Sequence, residues 1–479
     1  MADLGSIFKA YDVRGVIPDT FDAGIARAIG AAFARVVGGP AVVVAHDMRP
    51  SSPELATAFG EGVTSQGVDV VFTGLGSTDL LYYGSGQLDL PGAMFTASHN
   101  PAEYNGIKMC RAGAAPISAD TGLDEIRRLA EKSLSGPKAS VEGGSPSSRE
   151  APSTGDGGRR VGPAHDGPRG SVTEKDLLPG YAAYLRDLVD LSDVRPLKVA
   201  VDAGNGMGGH TVPAVLQDGG LPLEIVPLYF ELDGTFPNHP ANPLDPDNLV
   251  DLQAKVRESG ADIGLAFDGD ADRCFVIDER GEAVPPSAIT ALVAAEELKR
   301  EPGATIIHNL ITSAAVADIV RERGGVPLRT RVGHSFIKAT MAETGAIFGG
   351  EHSAHYYFRD FWKADTGMLA AMHVLRVLGT DDRPLSEITR EYTRYAASGE
   401  VNSKVDDAAG RMAAVRAAFE GREGVTIDDL DGMTVTLPGG AWFNLRASNT
   451  EPLLRLNVEA ADDAGVAALR DEVLAIVRA

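Results

Sequence analysis

Strand-like apolar segments alternate with helix-like segments along nearly the whole chain, and this rhythm limits the fold more than any other feature. The run Ala41–Ala45 predicts a buried strand, and the amphipathic stretch Asp22–Val37 before it predicts a helix. A second pair follows, with a helix over Pro53–Gln66 and a strand over Val68–Phe72. The alternation favours α/β layers over all-α or all-β folds. At 479 residues, a domain size of about 150 residues predicts about three to five domains.

The rhythm is interrupted once by a long polar segment. Residues 136–175 are rich in Gly, Ser, Pro and charge and contain almost no large apolar side chains. Such a segment cannot bury enough surface to offset its ordering entropy, so it predicts a flexible linker. The last part of the chain carries the strand-like Thr434–Leu437 and closes on the amphipathic Ala464–Val477, which favours α+β. We therefore predict α/β domains over residues 1–135, 176–282 and 283–384, the linker over 136–175, and an α+β domain over 385–479.

Composition excludes several classes of protein. The net charge of −23 argues against a nucleic-acid binder, because phosphate backbones select basic surfaces. It leaves room for a small phosphorylated ligand held by a local basic cluster. Cys110 and Cys274 are the only cysteines, so no disulfide framework is expected. Asp3 and Lys9 lie where a signal peptide needs an apolar core, and no apolar run approaches the roughly 20 residues that span a bilayer. We expect a cytoplasmic protein that binds neither nucleic acid nor membrane.

Two motifs together predict phosphoryl transfer. Ser98 stands beside His99 at the end of an apolar strand-like run, in a turn-forming Asn-Pro context. Such a serine is a nucleophile or a phosphate carrier. Farther along, Asp268, Asp270 and Asp272 alternate in the run DGDADR, a pattern able to hold a hard divalent cation. A hydroxyl, a divalent metal and basic residues are the parts that phosphoryl transfer requires.

The DGDADR run admits two other interpretations. Its aspartates fit the first, third and fifth positions of an EF-hand calcium loop, and Glu279 falls at the twelfth. Arg273, however, stands at the sixth position, where that loop needs Gly, and the flanking runs predict strands rather than helices. The remaining interpretation is an acidic turn without a ligand. A catalytic Mg²⁺ site is favoured.

A glycine-rich run suggests a dinucleotide site as an alternative. Gly204, Gly206 and Gly209 follow a predicted strand with GxGxxG spacing, and Glu224 lies about where a ribose-binding acid is expected. Glycines also serve any tight strand-to-helix turn, so the match is weak.

Three further segments carry polar chemistry. Gly350–His355 (GEHSAH) suits the recognition of sugar hydroxyls, with a zinc site or a solvated loop as alternatives. Arg446–Pro452 (RASNTEP), with Arg455 beyond it, forms a credible phosphate cradle or an ordinary capped turn. Lys9 and Arg14 lie close to the flexible Gly15 and alone could be simple surface charge.

In this order the motifs resemble those of the α-D-phosphohexomutase superfamily, and within it the bacterial phosphomannomutase/phosphoglucomutase branch. The resemblance spans almost the whole chain. It rests on five segments: Tyr11–Gly15, Thr96–Pro101, Asp268–Arg273, Gly350–His355 and Arg446–Pro452.

The resemblance implies four domains around a central cleft, three mixed α/β and the last α+β. In order, they would bear the phosphoserine, bind the metal, bind the sugar and bind the phosphate. The implied catalytic residues are Ser98, His99, Lys108, Arg14, Arg273 and His355. The implied Mg²⁺ ligands are Ser98, Asp268, Asp270 and Asp272. The implied substrate-binding residues are Tyr11, His334, Glu351, Ser353, Arg446, Ser448, Asn449, Thr450 and Arg455.

The implied reaction interconverts mannose 6-phosphate and mannose 1-phosphate through phosphorylated Ser98. Glucose 1,6-bisphosphate or mannose 1,6-bisphosphate would be the intermediate or activator, and glucose phosphates the second substrates. GEHSAH in place of a GEQSGH-like loop argues against an amino sugar. The expected assembly is a monomer or a homodimer. The first alternative is a phosphoglucomutase or a phosphoglucosamine mutase with the same mechanism. A non-catalytic phosphosugar-binding protein and a dinucleotide-dependent oxidoreductase are the distant alternatives.

Two departures from the family are visible. Some relatives carry a Lys in the segment that here reads His308–Ser313, and this chain has none there. The tract over residues 133–173 is also longer than expected between the first two domains.

Overall fold

The computed structural model describes residues 3–135, 167–447 and 453–479 of the chain, and its strands form four sheets. Three sheets mix parallel and antiparallel pairs, whereas all pairs in the fourth are antiparallel. The predicted fold class, three mixed α/β domains followed by an α+β domain, is confirmed.

The first sheet has the order β1-β5-β4-β2-β3-β7, with β6 paired to β5. In the same domain, the helices predicted over Asp22–Val37 and Pro53–Gln66 are present as α1 and α2. Helix α1 begins after Asp22, whose carboxylate accepts from the backbone N–H of Ile25. The elements are β1 Asp12–Val16, α1 Ala23–Val37, β2 Ala41–His46, α2 Ser52–Thr64, β3 Asp69–Leu75, α3 Thr78–Leu88, β4 Gly92–Phe95, β5 Tyr104–Arg111, β6 Ala115–Pro116, α4 Leu123–Leu134 and β7 Val172–Glu174.

Strand β7 corrects the linker prediction. It lies inside the predicted linker over residues 136–175, yet it pairs in parallel with β3 at the edge of the first sheet. Backbone pairing at a sheet edge needs no apolar side chains, so composition gave no signal for it. Residues 136–166 of the predicted linker lie outside the described residues.

The second sheet has the order β12-β11-β10-β8-β9, and the third has the order β14-β13-β15-β16-β17. The elements of the second domain are α5 Leu178–Leu188, β8 Leu197–Asp202, α6 Gly208–Val212, β9 Leu223–Leu228, α7 Val250–Ser259, β10 Ile263–Phe267, β11 Cys274–Asp278 and β12 Ala283–Val284. Those of the third are α8 Pro286–Arg300, β13 Thr305–Asn309, α9 Ala314–Glu322, β14 Val326–Thr330, α10 His334–Thr344, β15 Phe348–Gly350, β16 Tyr356–Phe358, β17 Ala364–Asp365, α11 Gly367–Thr380 and α12 Leu385–Arg390.

The fourth sheet has the order β18-β22-β21-β20-β19, and helices α13 and α14 pack with it. Its elements are β18 Ala396–Lys404, α13 Ala408–Phe419, β19 Thr426–Asp428, β20 Met433–Thr436, β21 Trp442–Ala447, β22 Leu453–Ala460 and α14 Asp463–Val477.

The hydrophobic cores show which domains pack against one another. One continuous cluster joins part of the first domain to the second and third, whereas the fourth domain has a cluster of its own. Within the described ranges, no helix is both long and apolar enough to cross a membrane. Three loops leave the carboxyl ends of β4, β10 and β15, and these loops carry half of the predicted site residues.

Candidate active site

The loop after β4 presents Ser98 with its hydroxyl aimed at the second domain. Ser98 is 3% exposed and holds φ at +50°, a left-handed conformation that a residue with a Cβ adopts only where its surroundings enforce it. Its Oγ donates to Asp268 Oδ2 at 2.8 Å. The same Oγ lies 3.2 Å from His99 Nδ1, and because the hydroxyl proton is used on Asp268, the ring nitrogen is the donor in that contact.

Arg49, which the sequence analysis missed, holds this loop from inside. Its guanidinium is 1% exposed and lies 3.3 Å from the carboxylate of Asp47. It donates to four backbone carbonyl oxygens of the loop, those of Ser98, Asn100, Pro101 and Tyr104. The position three residues after the buried strand β2 was the available signal, since ligand sites gather at the carboxyl ends of parallel strands.

Arg14 contacts the same loop from β1. Its guanidinium pairs with Asp12 at 2.8 Å and donates to the Ala97 carbonyl at 3.2 Å and to the Asn100 side chain. The predicted site residue Arg14 therefore lies within the Ser98 environment, as the YDVRG motif suggested.

The loop after β10 brings the three predicted metal ligands together. The carboxylates of Asp268, Asp270 and Asp272 are buried, and one oxygen from each lies within 4.8 Å of the others. Among the described residues, Asp270 Oδ1 and Asp272 Oδ1 are buried oxygens with no hydrogen-bond partner. Unpartnered buried carboxylate oxygens are costly unless a cation satisfies them, so the donor set fits Mg²⁺.

Two basic side chains balance the carboxylates. Lys108 Nζ lies 2.6 Å from Asp270 Oδ2 and 2.5 Å from Asp272 Oδ2, and Arg273 pairs with Asp268 at 2.9 Å. Burial lowers the pKa of Lys108, but the charges of Asp270 and Asp272 outweigh it and raise that pKa above its usual value. Lys108 is therefore a protonated group at the edge of the aspartate loop.

Neighbouring segments fix this loop and exclude the EF-hand interpretation. The loop is flanked by the strands β10 and β11, not by helices. The glycine-rich run packs onto it: a Cβ at Gly206 would lie 2.7 Å from the Gly269 carbonyl oxygen, and the Met207 N–H donates to that oxygen at 2.9 Å. Gly209 is close-packed in the same way, with a Cβ there 2.2 Å from the Phe230 carbonyl oxygen, and Gly204 holds φ at +52°. Chain packing and backbone conformation thus account for the three glycines, and the pattern needs no dinucleotide.

Thr78, a second residue that the sequence analysis missed, holds Asp270. Its hydroxyl donates to Asp270 Oδ2 at 2.6 Å and its backbone N–H to the Asp270 carbonyl. Thr78 begins α3, and no motif in the sequence marks it.

The loop after β15 places the predicted sugar-binding residues beside the aspartate loop. His355 Nε2 lies 3.8 Å from Asp272 Oδ1, and its Nδ1 lies 2.9 Å from Ser353 Oγ. Burial lowers the pKa of His355, which leaves the imidazole neutral near pH 7. Glu351 is buried and accepts from Asn309, from the Gly333 N–H and from the Tyr357 hydroxyl.

The remaining predicted residues lie apart from Ser98 or beyond the described atoms. Arg446 and Arg455 both pair with Glu400 in the fourth domain. Tyr11 lies against the start of α10, with its ring edge-on to Phe336. Ser448, Asn449 and Thr450 lie outside the described residues, as does the side chain of His334.

Four family models match the chain in succession. They are phosphoglucomutase/phosphomannomutase alpha/beta/alpha domains I, II and III and the C-terminal domain, over residues 5–136, 179–281, 285–395 and 400–476. The chain belongs to the phosphoglucomutase/phosphomannomutase family. The resemblance noted from the motifs is confirmed.

Relatives and solved structures agree with this membership. A phosphomannomutase of Escherichia coli is 38% identical over 479 residues, covering 98% of this chain and 99% of the relative. A crystal structure of a phosphoglucomutase/phosphomannomutase family protein from Burkholderia thailandensis matches with a TM-score of 0.84 at 34% identity, covering 99% of this chain and 98% of that one.

More distant members of the fold have been solved with ligands. N-acetylphosphoglucosamine mutase of Aspergillus fumigatus, in complex with GlcNAc-6P and magnesium, matches with a TM-score of 0.60 at 14% identity, covering 99% of this chain and 96% of that one. Another structure of that mutase contains glucose 1,6-bisphosphate. At this identity the likeness shows the fold alone.

Proposed function

We propose that this chain is a Mg²⁺-dependent phosphomannomutase that interconverts mannose 6-phosphate and mannose 1-phosphate, with glucose phosphates as second substrates. The observation that carries the proposal is the contact of Ser98 Oγ with Asp268 Oδ2 at 2.8 Å, which joins a buried hydroxyl to a three-carboxylate loop. Identity of 38% to a phosphomannomutase over 98% of the chain supports the choice of substrate.

Asp268, Asp270, Asp272 and the oxygen on Ser98 would hold the metal. Bound Mg²⁺ supplies positive charge that neutralises phosphoryl oxygens during transfer. Arg273 and Lys108 add positive charge at the same loop, where buried charges stabilise a developing negative charge more strongly than water does.

In the first transfer, Ser98 carries the phosphoryl group. A sugar hydroxyl oxygen bonds to phosphorus while the bond from phosphorus to Ser98 Oγ breaks, and Oγ keeps the electron pair. Neutral His355 is suited to accept the hydroxyl proton. The donor nitrogen of His99, 3.2 Å away, stabilises the released Ser98 oxygen.

In the second transfer, the other phosphate of the 1,6-bisphosphohexose returns to Ser98 Oγ. The sugar oxygen that loses it takes back the proton from His355, so atoms and charge balance over the cycle. Glu351 and Ser353 would hold the sugar hydroxyls, and Arg446 and Arg455 would grip the phosphate that is not reacting. Each phosphate must leave that grip once per cycle, because the intermediate exchanges its two ends.

The test is a mutase assay with Mg²⁺ and a trace of glucose 1,6-bisphosphate on mannose, glucose and glucosamine 1-phosphates. We expect the fastest turnover with mannose 1-phosphate and slower turnover with glucose 1-phosphate. Fastest turnover of glucosamine 1-phosphate would overturn the substrate and keep the mechanism. Tight binding without any turnover would favour a phosphosugar-binding protein.

The Ser98→Ala variant tests the phosphoryl carrier. We expect it to abolish turnover, a loss of at least about 10³-fold, while mannose 6-phosphate still binds in calorimetry. Ser192→Ala, an exposed position in the second domain, is the control and should keep wild-type kcat. Substantial activity in Ser98→Ala would refute the assignment of Ser98.

Metal binding is tested separately from activity. Titration of Mg²⁺ into Asp270→Asn should show at least about tenfold weaker binding than wild type, because a ligand is lost from the cluster. Mg²⁺ should also raise the melting temperature of wild type more than that of the variant. The control, Asp218→Asn, removes an exposed carboxylate of the same domain; equal Mg²⁺ affinity in all three proteins would exclude this site.

A further inference from the structure

In the fourth domain two arginines stand directly opposite each other across neighbouring strands. Arg446 on β21 is the register partner of Arg455 on β22, and like charges in this relation destabilise a sheet unless an anion lies between them. Glu400 supplies that anion: its Oε2 lies 3.2 Å from Arg446 Nη2 and its Oε1 lies 3.4 Å from Arg455 Nη1. One carboxylate thus bridges both guanidinium groups.

The bridge leaves part of each guanidinium unused. Among the described residues, Nε of Arg446 and Nε of Arg455 are buried and have no hydrogen-bond partner. A guanidinium that presents Nε and Nη together matches two oxygens of a phosphate. Each arginine therefore keeps one unsatisfied buried donor while Glu400 holds it, and a phosphate reaches that donor only when the guanidinium moves.

The local backbone aims Glu400 at this place. Strand β18 has an irregularity between Ala397 and Glu400, with Gly399 at φ +65°, a conformation that glycine adopts without strain. After it, Glu400 pairs with Asn457 and Asn402 with Arg455, which puts Glu400 on the face of the sheet that carries Arg455.

Glu400 also lies near the sugar-binding loop Gly350–His355. His352 of that loop lines one cavity together with Gly399, the chain neighbour of Glu400, and Asn457, its register partner. His352 lies between Glu351 and Ser353 in the sequence. The carboxylate is therefore close to the loop where the sugar would lie, between the third and fourth domains.

We propose that Glu400 is a competitor for the phosphate group in the phosphate-binding site: its carboxylate holds Arg446 and Arg455 in the free protein, and the non-reacting phosphate of the hexose phosphate displaces it. This inference rests on the proposed function, because it assumes that the two arginines bind that phosphate. In this proposal Glu400 sets the affinity of the site for phosphate. Glu400 lies outside all five motifs that carry the family resemblance.

The reaction cycle gives a reason for such a competitor. The intermediate must release one phosphate from this site and bind the other between the two transfers. A site of two uncompensated arginines would bind both ends tightly and slow that exchange, and uniformly tight binding does not raise kcat. Glu400 offers the arginines an alternative partner at the moment of release.

The decisive variant is Glu400→Gln, which keeps the shape of the side chain and removes its charge. We expect Kd for inorganic phosphate and for mannose 6-phosphate, measured by calorimetry, to fall about three- to tenfold. In the mutase assay we expect KM to fall and kcat to fall with it, because release of the phosphate becomes slower. Glu472→Gln is the matched control: it removes one charge from an exposed pair with Arg422 in the same domain and should leave both constants unchanged.

Weaker or unchanged phosphate binding in Glu400→Gln would overturn the proposal. Weaker binding would mean that Glu400 orients the arginines for the ligand rather than competing with it. Glu400→Ala supplies a second measurement if the glutamine itself binds the arginines, and it should also bind phosphate more tightly. Binding of inorganic phosphate needs no turnover. If the wild-type protein fails the mutase assay, the phosphate Kd of Glu400→Gln still shows whether Glu400 competes with phosphate. Failure of the proposed function and failure of this inference are therefore distinguishable.

Discussion

At the scale of single residues, the position of the reactive hydroxyl depends on a side chain that performs no chemistry. Arg49 saturates four carbonyl oxygens of the loop that carries Ser98. Buried carbonyl groups without partners are costly, so without Arg49 we expect the loop to shift and expose these oxygens to water. The strained φ of Ser98 is maintained by this internal support.

We predict that Arg49→Lys keeps the charge beside Asp47 but loses at least two of these four hydrogen bonds. The free energy of unfolding should fall by about 2–4 kcal/mol, and kcat should fall at least about tenfold through displacement of Ser98. Denaturant unfolding and steady-state kinetics measure the two effects. Arg128→Lys, at an exposed helix position, is the control; wild-type stability in Arg49→Lys would contradict the role.

At the scale of elements, the site forms where loops from separate sheets lie against one another. The loop after β10, which carries the three aspartates, passes close to the loop after β4, which carries Ser98. A Cβ at Gly269 would lie 2.4 Å from the Ser98 carbonyl oxygen. That contact is with backbone, so no flexible side chain can yield. Glycine at position 269 sets the distance between the carboxylates and the hydroxyl.

We predict that Gly269→Ala moves the two loops apart and lowers kcat by about 10²-fold, since a shift of roughly 1 Å in a catalytic group has effects of that size. Mg²⁺ affinity should fall less, because the three carboxylates lie on one loop. Gly24→Ala in α1, where the nearest atom is a side-chain oxygen 3.2 Å away, should leave kcat unchanged. Wild-type kcat in Gly269→Ala would show that the loops adjust freely.

At the scale of the whole molecule, one buried carboxylate joins three domains. Asp79 at the start of α3 accepts from Ser77, from the Tyr181 hydroxyl of the second domain at 2.7 Å and from the Thr366 hydroxyl of the third at 2.7 Å. Thr78 beside it holds Asp270. The junction of the domains is therefore coupled to the metal loop through adjacent residues.

Burial raises the pKa of Asp79 from 3.8 to about 6, although its hydrogen bonds lower it. The folded protein therefore binds this proton more tightly than the unfolded chain, and stability is lost as the pH rises from about 4 to about 6. The shift corresponds to about 3 kcal/mol. The decrease in the free energy of unfolding from pH 4.5 to pH 7 should be smaller in Asp79→Asn than in wild type. Asp120→Asn, an exposed position of the first domain, should follow wild type; equal pH dependence in Asp79→Asn would refute the shift.

Local patterns in the sequence were sufficient for several of the elements and for the family. Alternating apolar periodicity predicted the strand Ala41–Ala45 and the helix Asp22–Val37, and the structure has them as Ala41–His46 and Ala23–Val37. Motifs with close spacing, such as Asp268 to Arg273, also predicted chemistry, because neighbours on one turn must share a site. These signals depend on residues that are close together in the sequence, so they can be recognised without the folded structure.

The sequence by itself determined the four-domain α/β architecture and the residue types of the site. Only the tertiary structure decided that β7 completes the first sheet, that Arg49 and Thr78 support the reactive loops and that Glu400 bridges Arg446 and Arg455. Each of these relations joins residues that lie far apart along the chain or depends on strand register. Such contacts follow from packing of whole sheets, which leaves no periodic mark at the single positions involved.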